Sequence, residues 1–162
     1  MLGLSWVPAA ARQGHGAGRG LLKQLVEAYT CQEMPPLAKM PLGKPYFPGK
    51  SLHFSISHSK KTVFCALSDR PIGIDAEELT RTIDPRLAEK ILSAAEYAQY
   101  QAAEDRNRAL LTFWVLKEAA AKCSGRGLQG YPNHTDFSLT DPRVFQLGGC
   151  LVAVIEEETY AV

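Results

Sequence analysis

The side chains with the types and spacing for chemistry fall in a few short stretches. In PIGIDAEE, Asp75 and Glu77 stand two residues apart, and on a strand that spacing projects both carboxylates from one face. Two aligned acids suit a hard cation; a solvated strand end has the same pattern. In FWVLKEAAAK, Trp114, Glu118 and Lys122 recur at four-residue steps, which makes one stripe along a helix. An exposed Glu to Lys pair at this spacing contributes only about 0.2–0.5 kcal/mol. Phe113 and Trp114 are core-facing types, however, and an acid and a lysine that continue their stripe are drawn inward, where charge needs a partner. A cation held by Asp75, Glu77 and Glu118, with Lys122 turned to the phosphate oxygens of a ligand, would satisfy all four together.

Three further stretches carry weaker signals. Ser57, His58 and Ser59 lie in FSISHSKK, ahead of Lys60 and Lys61. A hydrolytic Ser-His dyad is disfavoured, because sequence neighbours rarely form one and no G-x-S-x-G elbow is present. A phosphate contact at a strand end and a surface histidine without a role both remain open. Gly43-Lys44-Pro45 marks a turn in a proline-rich connector. Gly125-Arg126-Gly127-Leu128 reads as a helix stop followed by a bend.

The elements that must position these residues follow from periodicity. Leu21, Leu22, Leu25 and Val26 predict an amphipathic helix over 17–29, after the Gly-rich run QGHGAGRG. Pro35, Pro36, Pro41, Pro45 and Pro48 predict an irregular connector as far as Lys50. Leu52, Phe54 and Ile56 alternate with His53, Ser55 and Ser57, the pattern of a half-buried strand. TVFCALS and PIGIDAE read as two more strands, joined by a turn at Ser68, Asp69 and Arg70 into an antiparallel meander. Ser93 and Glu96 form a capping box for a helix ending near Ala103, and a longer helix is expected over 107–123 with Gly125 as its stop. RVFQL and CLVAVIEE flank Gly148-Gly149 as a hairpin. Strands, then helices, then strands indicate an α+β fold rather than a doubly wound parallel sheet.

The chain has 162 residues, 46% of them hydrophobic and 22% charged, enough for one domain or two small lobes sharing a core that needs no disulfide staples. A net charge of +1 lacks the basic excess of a nucleic-acid binder. Cys31, Cys65, Cys123 and Cys150 form no C-x-x-C pair, which points to reduced thiols and a cytoplasmic protein. The sequence MLGLSWVPAAARQ has no basic n-region, so a signal peptide is not expected, and no apolar run reaches the ~18 residues of a membrane span.

Taken in order, G-K-P, S-I-S-H-S, G-I-D-A-E, F-W-x-x-K-E-A-x-x-K and G-x-G-L resemble the 4′-phosphopantetheinyl transferases of the surfactin-synthetase-activating type, from about Gly43 to Leu128. The resemblance implies two pseudo-twofold-related α+β lobes with the active site between them, here 1–70 on the nucleotide side and 71–162 carrying the metal site. It implies Mg2+ bound by Asp75, Glu77 and Glu118, and coenzyme A as co-substrate. Lys122 would meet the pyrophosphate, Ser57 and His58 would contact phosphate, and Gly43, Lys44 and Pro45 would border the adenine nucleotide. Arg19 resembles an arginine that approaches the 3′-phosphate. Two departures accompany it. The chain leaves little room for the strand and basic segment that members place before the first long helix, so a shortened N-terminal lobe is expected. Ala76 replaces a larger aliphatic residue, but lies between the acids and faces away from them.

The implied reaction transfers 4′-phosphopantetheine from coenzyme A to a serine of an acyl or peptidyl carrier protein, giving 3′,5′-ADP. Glu118, or a water it orients on the metal, would be the base. Arg81 and Arg86, beside Ile83 and Leu87, would suit an acidic carrier helix with a small apolar patch. A non-catalytic module that binds coenzyme A or a carrier protein, and a magnesium-dependent phosphohydrolase, are the alternatives. Neither a nucleic acid nor a membrane is an expected partner.

Overall fold

First in chain order is a strand, β1 (Gly3–Pro8), followed by helix α1 (Gly14–Thr30). The remaining elements are β2 (Ala38–Lys39), β3 (Pro45–Tyr46), β4 (His53–His58), β5 (Thr62–Ser68), β6 (Ile72–Glu78), a 3-10 turn at Pro85–Leu87, α2 (Ala88–Ile91), α3 (Ala94–Ala102), α4 (Arg106–Ser124), β7 (Val144–Leu147) and β8 (Cys150–Glu156). The structure is a computed structural model describing residues 1–8, 14–125 and 136–157.

TVFCALS is apolar on both faces, and all 7 residues of β5 are buried. Its Val63, Cys65 and Leu67 pack under Leu21, Leu22, Leu25 and Val26 of α1, together with Phe54 and Phe47. Its Phe64 and Ala66 face the other way, onto Ile72, Ile74 and Ala76 of β6 and Cys150 and Val152 of β8. Burying each large apolar side chain in this way contributes about 1.5–3 kcal/mol.

Two three-stranded antiparallel sheets result, β1-β5-β4 and β6-β8-β7. Each has a long helix on its outer face, α1 on the first and α4 on the second, where Leu116, Ala119 and Ala120 pack against Leu151, Ala153 and Ile155. This is the α+β architecture the sequence indicated.

Several expectations are corrected. The strand thought missing before the first helix is present as β1, pairing Gly3 with Leu67 through Pro8 with Thr62. The expected meander does not form. Both edges of β5 are occupied, by β1 and β4, so β6 has no edge to join there and pairs instead with β8. The connector also holds regular structure: Ala38 pairs with Tyr46 and Lys39 with Pro45. Its turn donates Gly43 N–H to Met40 O and Met40 N–H to Lys44 O, both 2.8 Å, and Gly43 at φ 88° takes the left-handed position that closes such loops.

β4 differs from a half-buried strand in an informative way. Ser55 and Ser57 are buried as well as Phe54. The backbone N–H groups of Ile74 and Ala76, on the β6 edge that β8 leaves unpaired, donate to Ser55 Oγ and Ser57 Oγ, each at 3.1 Å. The alternate serines of S-I-S thus satisfy alternate edge donors of the second sheet, which would otherwise be buried without partners.

The helical predictions hold to within a few residues. α3 carries the reciprocal capping box, Glu96 N–H to Ser93 Oγ at 3.2 Å and Ser93 N–H to Glu96 Oε2 at 2.9 Å. α4 begins at Asp105, whose carboxylate accepts from Arg108 N–H at 2.9 Å, and ends at Gly125 with φ 71°. Gly148 and Gly149, at φ 59° and 77°, make the β7-β8 turn.

Candidate active site

The site is built where α4 crosses β6. Gly73 lets the two backbones meet: a Cβ on it would fall 1.9 Å from Ala119 O and 2.4 Å from Cys123 N. Alternation along β6 puts Asp75 and Glu77 on the same face as Gly73, so the stripe of α4 comes down beside both acids.

Asp75 is only 5% exposed. Its Oδ1 accepts from Lys122 Nζ at 2.6 Å and from Ser57 Oγ at 3.1 Å, and Lys122 Nζ also reaches Ser57 Oγ at 3.3 Å. Asp75 Oδ2 is buried with no hydrogen-bond partner. Leaving a buried carboxylate oxygen unpaired costs about 1–3 kcal/mol or more, and this acceptor is positioned to take a cation. Burial, then the negative charge of Asp75, push the Glu118 carboxyl above its ordinary value; Lys122 opposes the shift, Glu77 adds to it and Arg81 opposes it.

Glu77 is engaged elsewhere. It pairs with Arg81, whose guanidinium lies 5.6 Å from the centre of the Trp114 ring. Among the described residues no three His, Cys, Asp or Glu side chains are gathered closely enough to hold a metal ion as they stand. The donor set nevertheless fits a hard divalent ion. The unpartnered Asp75 oxygen and a neighbouring glutamate whose ionised form is disfavoured by burial and then by like charge are the groups that a small dication would satisfy.

The sequence-predicted residues divide between two cavities. One, of about 270 Å³, is walled by Lys44 and Pro45, by Phe54 and Ile56 of β4, and by Glu118 and Lys122 of α4. The other, of about 630 Å³, is bordered by His58, Lys60, Glu77 and Arg81. Asp75 and Ser57 are buried and border neither. His58 ends β4 against α1, where a Cβ on Gly18 would lie 3.3 Å from its Nε2, and the neighbouring Arg19 is exposed. Gly43 closes the turn before Lys44. Arg126, Gly127 and Leu128 lie outside the described residues.

The expected carrier patch is not presented as drawn. Ile83 is 6% exposed within the core cluster that α4 shares with β8, Leu87 packs against the same cluster, and Arg81 is held by Glu77. Arg86 is exposed and paired with Asp84. Periodicity around the turn gave no sign that Ile83 points inward.

Two long-range contacts escaped the sequence reading. Glu96, fully buried, is ion-paired with Lys117 at 2.8 Å and accepts from Phe137 N–H at 3.0 Å, joining α3, α4 and the segment at Phe137. Lys44 Nζ donates to the carbonyls of Lys122 and Cys123 at the end of α4. The S-x-x-E capping pattern signalled Glu96, but only its local half; nothing in the sequence signalled the lysines that meet it and the helix end.

Residues 71–149 match the 4′-phosphopantetheinyl transferase superfamily. A 4′-phosphopantetheinyl transferase of Bacillus subtilis is 39% identical over 90 residues, covering 53% of this chain and 39% of that protein. The 4′-phosphopantetheinyl transferase HetI of a Nostoc species is 34% identical over 128 residues, covering 72% of this chain and 54% of that protein. A holo-[acyl-carrier-protein] synthase of Cronobacter sakazakii is 50% identical over 44 residues, covering 27% of this chain and 35% of that protein. The chain therefore spans only part of the length of the curated relatives it matches, about half or less. The likeness to the 4′-phosphopantetheinyl transferase superfamily therefore rests on residues 71–149, just under half of the chain. Within that superfamily its likeness is to the surfactin-synthetase-activating type, including the Sfp transferase of Bacillus subtilis, 37% identical over 89 residues and covering 53% of this chain and 39% of that protein. No helix among the described residues is long and apolar enough to cross a membrane.

Proposed function

We propose that the protein transfers 4′-phosphopantetheine from coenzyme A to a serine of an apo acyl or peptidyl carrier protein, with residues 1–70 and 71–162 as the two lobes around the site. The observation that carries this reading is the group at the α4-β6 crossing: Asp75 with one oxygen on Lys122 and Ser57 and the other unpartnered, beside a Glu118 that resists ionisation. Asp75, Glu118 and Lys122 of this group lie within the stretch that matches the superfamily.

In the reaction, the serine hydroxyl oxygen bonds to the β-phosphorus of coenzyme A. The bond from that phosphorus to the oxygen bridging the α-phosphate breaks, and 3′,5′-ADP leaves with the electron pair. Glu118, or a water that it orients, takes the hydroxyl proton; burial and then the charge of Asp75 raise the affinity of its carboxylate for protons. Asp75, Glu118 and Glu77 would hold Mg2+, which when bound offsets the charge of the pyrophosphate. Glu77 would exchange Arg81 for this role. Lys122, freed from Asp75, turns its ammonium to the same oxygens. Pro45 and the stem of Lys44 wall the nucleotide side of the cleft after Gly43 turns the chain, while Ser57 fixes Asp75. His58, which faces Gly18 of α1, and Arg19 supply donors to phosphate, Arg19 to the 3′-phosphate.

The test is to incubate the protein with coenzyme A, magnesium and an apo carrier protein and to weigh the carrier. A mass gain of one phosphopantetheine with release of 3′,5′-ADP supports the reading. Coenzyme A binding without an adduct would make the protein a binding module. Hydrolysed coenzyme A with an unmodified carrier would make it a phosphohydrolase.

A further inference from the structure

The ammonium of Lys44 is committed to the protein rather than to the cleft it borders. Lys44 closes the β2-β3 hairpin, its carbonyl accepting from Met40 N–H. Its Nζ donates to the carbonyl of Cys123 at 3.0 Å and to that of Lys122. These are among the last four carbonyls of α4, which have no partner within the helix, and a cation at this end also opposes the negative end of the helix dipole. The packing around them is close. Gly125 donates its N–H to Ala121 O at 3.0 Å, and a side chain there would meet Lys44 Cδ and Met40 Sδ, each at 3.5 Å. The Lys122 whose carbonyl is held in this way is the residue whose ammonium lies 2.6 Å from Asp75.

We propose that Lys44 is a positioning residue: it clamps the β2-β3 hairpin to the C-terminal turn of α4, and so fixes one wall of the cleft and the backbone of Lys122 without its ammonium touching the ligand. The role in ligand binding rests on the coenzyme A reading above; the clamp does not. A lysine whose ammonium read a phosphate would behave differently, because its loss would weaken the ligand and leave the free protein unchanged.

Hydrogen exchange in the ligand-free protein separates these cases, read at the amides of Met40, Gly43 and Gly125, each held by a defined hydrogen bond. Losing a hydrogen bond from a charged donor is worth about tenfold or more. Lys44→Met is expected to exchange at all three amides at least ~10-fold faster and to bind coenzyme A roughly 10-fold more weakly by calorimetry. Lys44→Arg restores the donors and should return both towards the parent. Parent-like exchange in Lys44→Met overturns the clamp, whatever happens to affinity. Fast exchange with parent-like coenzyme A affinity overturns the link to the site. Lys44→Arg exchanging as fast as Lys44→Met contradicts the role of the ammonium's hydrogen bonds. If the parent binds no coenzyme A, the proposed function falls together with the cleft half of this proposal, and the exchange measurement still decides the clamp.

Discussion

A Cβ placed on Gly73 would fall 1.9 Å from the carbonyl oxygen of Ala119, so β6 and α4 touch backbone to backbone at the base of the site. The obstacle is main chain, which cannot rotate away as a flexible side chain can. Gly73→Ala is therefore expected to cost at least the ~1–3 kcal/mol typical of overpacking and to displace Glu118 and Lys122 from Asp75. Urea denaturation measures the first effect and the rate of carrier modification the second. A variant with parent stability and parent rate would show that β6 and α4 do not meet backbone to backbone at Gly73.

The buried pair Glu96–Lys117 makes a sharper stability prediction. Glu96 is fully buried and Lys117 is 4% exposed, with Phe137 N–H on the other carboxylate oxygen. Lys117→Met leaves that carboxylate without its counter-ion, at an expected cost of about 3–5 kcal/mol. Glu96→Gln with Lys117→Met removes both charges and keeps an acceptor for Phe137, so the double variant should recover much of the loss. Denaturation midpoints of the three proteins check this, and a single variant within ~1 kcal/mol of the parent would rule it out.

Glu118 ties stability to pH. Its folded-state pKa is raised above the ordinary 4.5, mainly by burial and then by Asp75. An acid of this kind leaves stability intact below its unfolded pKa and reduces it as pH rises through the folded value. Glu118→Gln should therefore melt higher than the parent at neutral pH, with the gap closing as pH falls to ~4. A lower melting temperature at pH 7 would mean that the carboxylate is better paired than its surroundings indicate.

The sequence made some of this legible and hid the rest for identifiable reasons. α4, α3 with its capping box, and the Gly148-Gly149 hairpin were readable because each is specified by local chemistry. Asp75, Glu77, Glu118 and Lys122 could be grouped because strand and helix periods put them on defined faces. What failed was non-local. Nothing in TVFCALS said that both its edges would be filled, so the meander was wrong, and GLSWVP did not stand out as the strand that fills one of them. The burial of Ser55 and Ser57 depends on an unpaired edge of a different sheet. Ala76 does face away from the acids, but into the layer between the sheets, at 1% exposure. Ile83 looked like surface because a short loop carries no period to orient it.

The central claim is that the acids at the α4-β6 crossing perform magnesium-dependent transfer, and Glu118→Gln tests it most directly. The measurement is the initial rate of phosphopantetheine addition to an apo carrier protein, for parent and variant, with magnesium and saturating coenzyme A. Removing a metal ligand that also accepts the proton should lower the rate by at least ~100-fold while the variant stays folded. A folded Glu118→Gln protein that works at close to the parent rate would contradict the account.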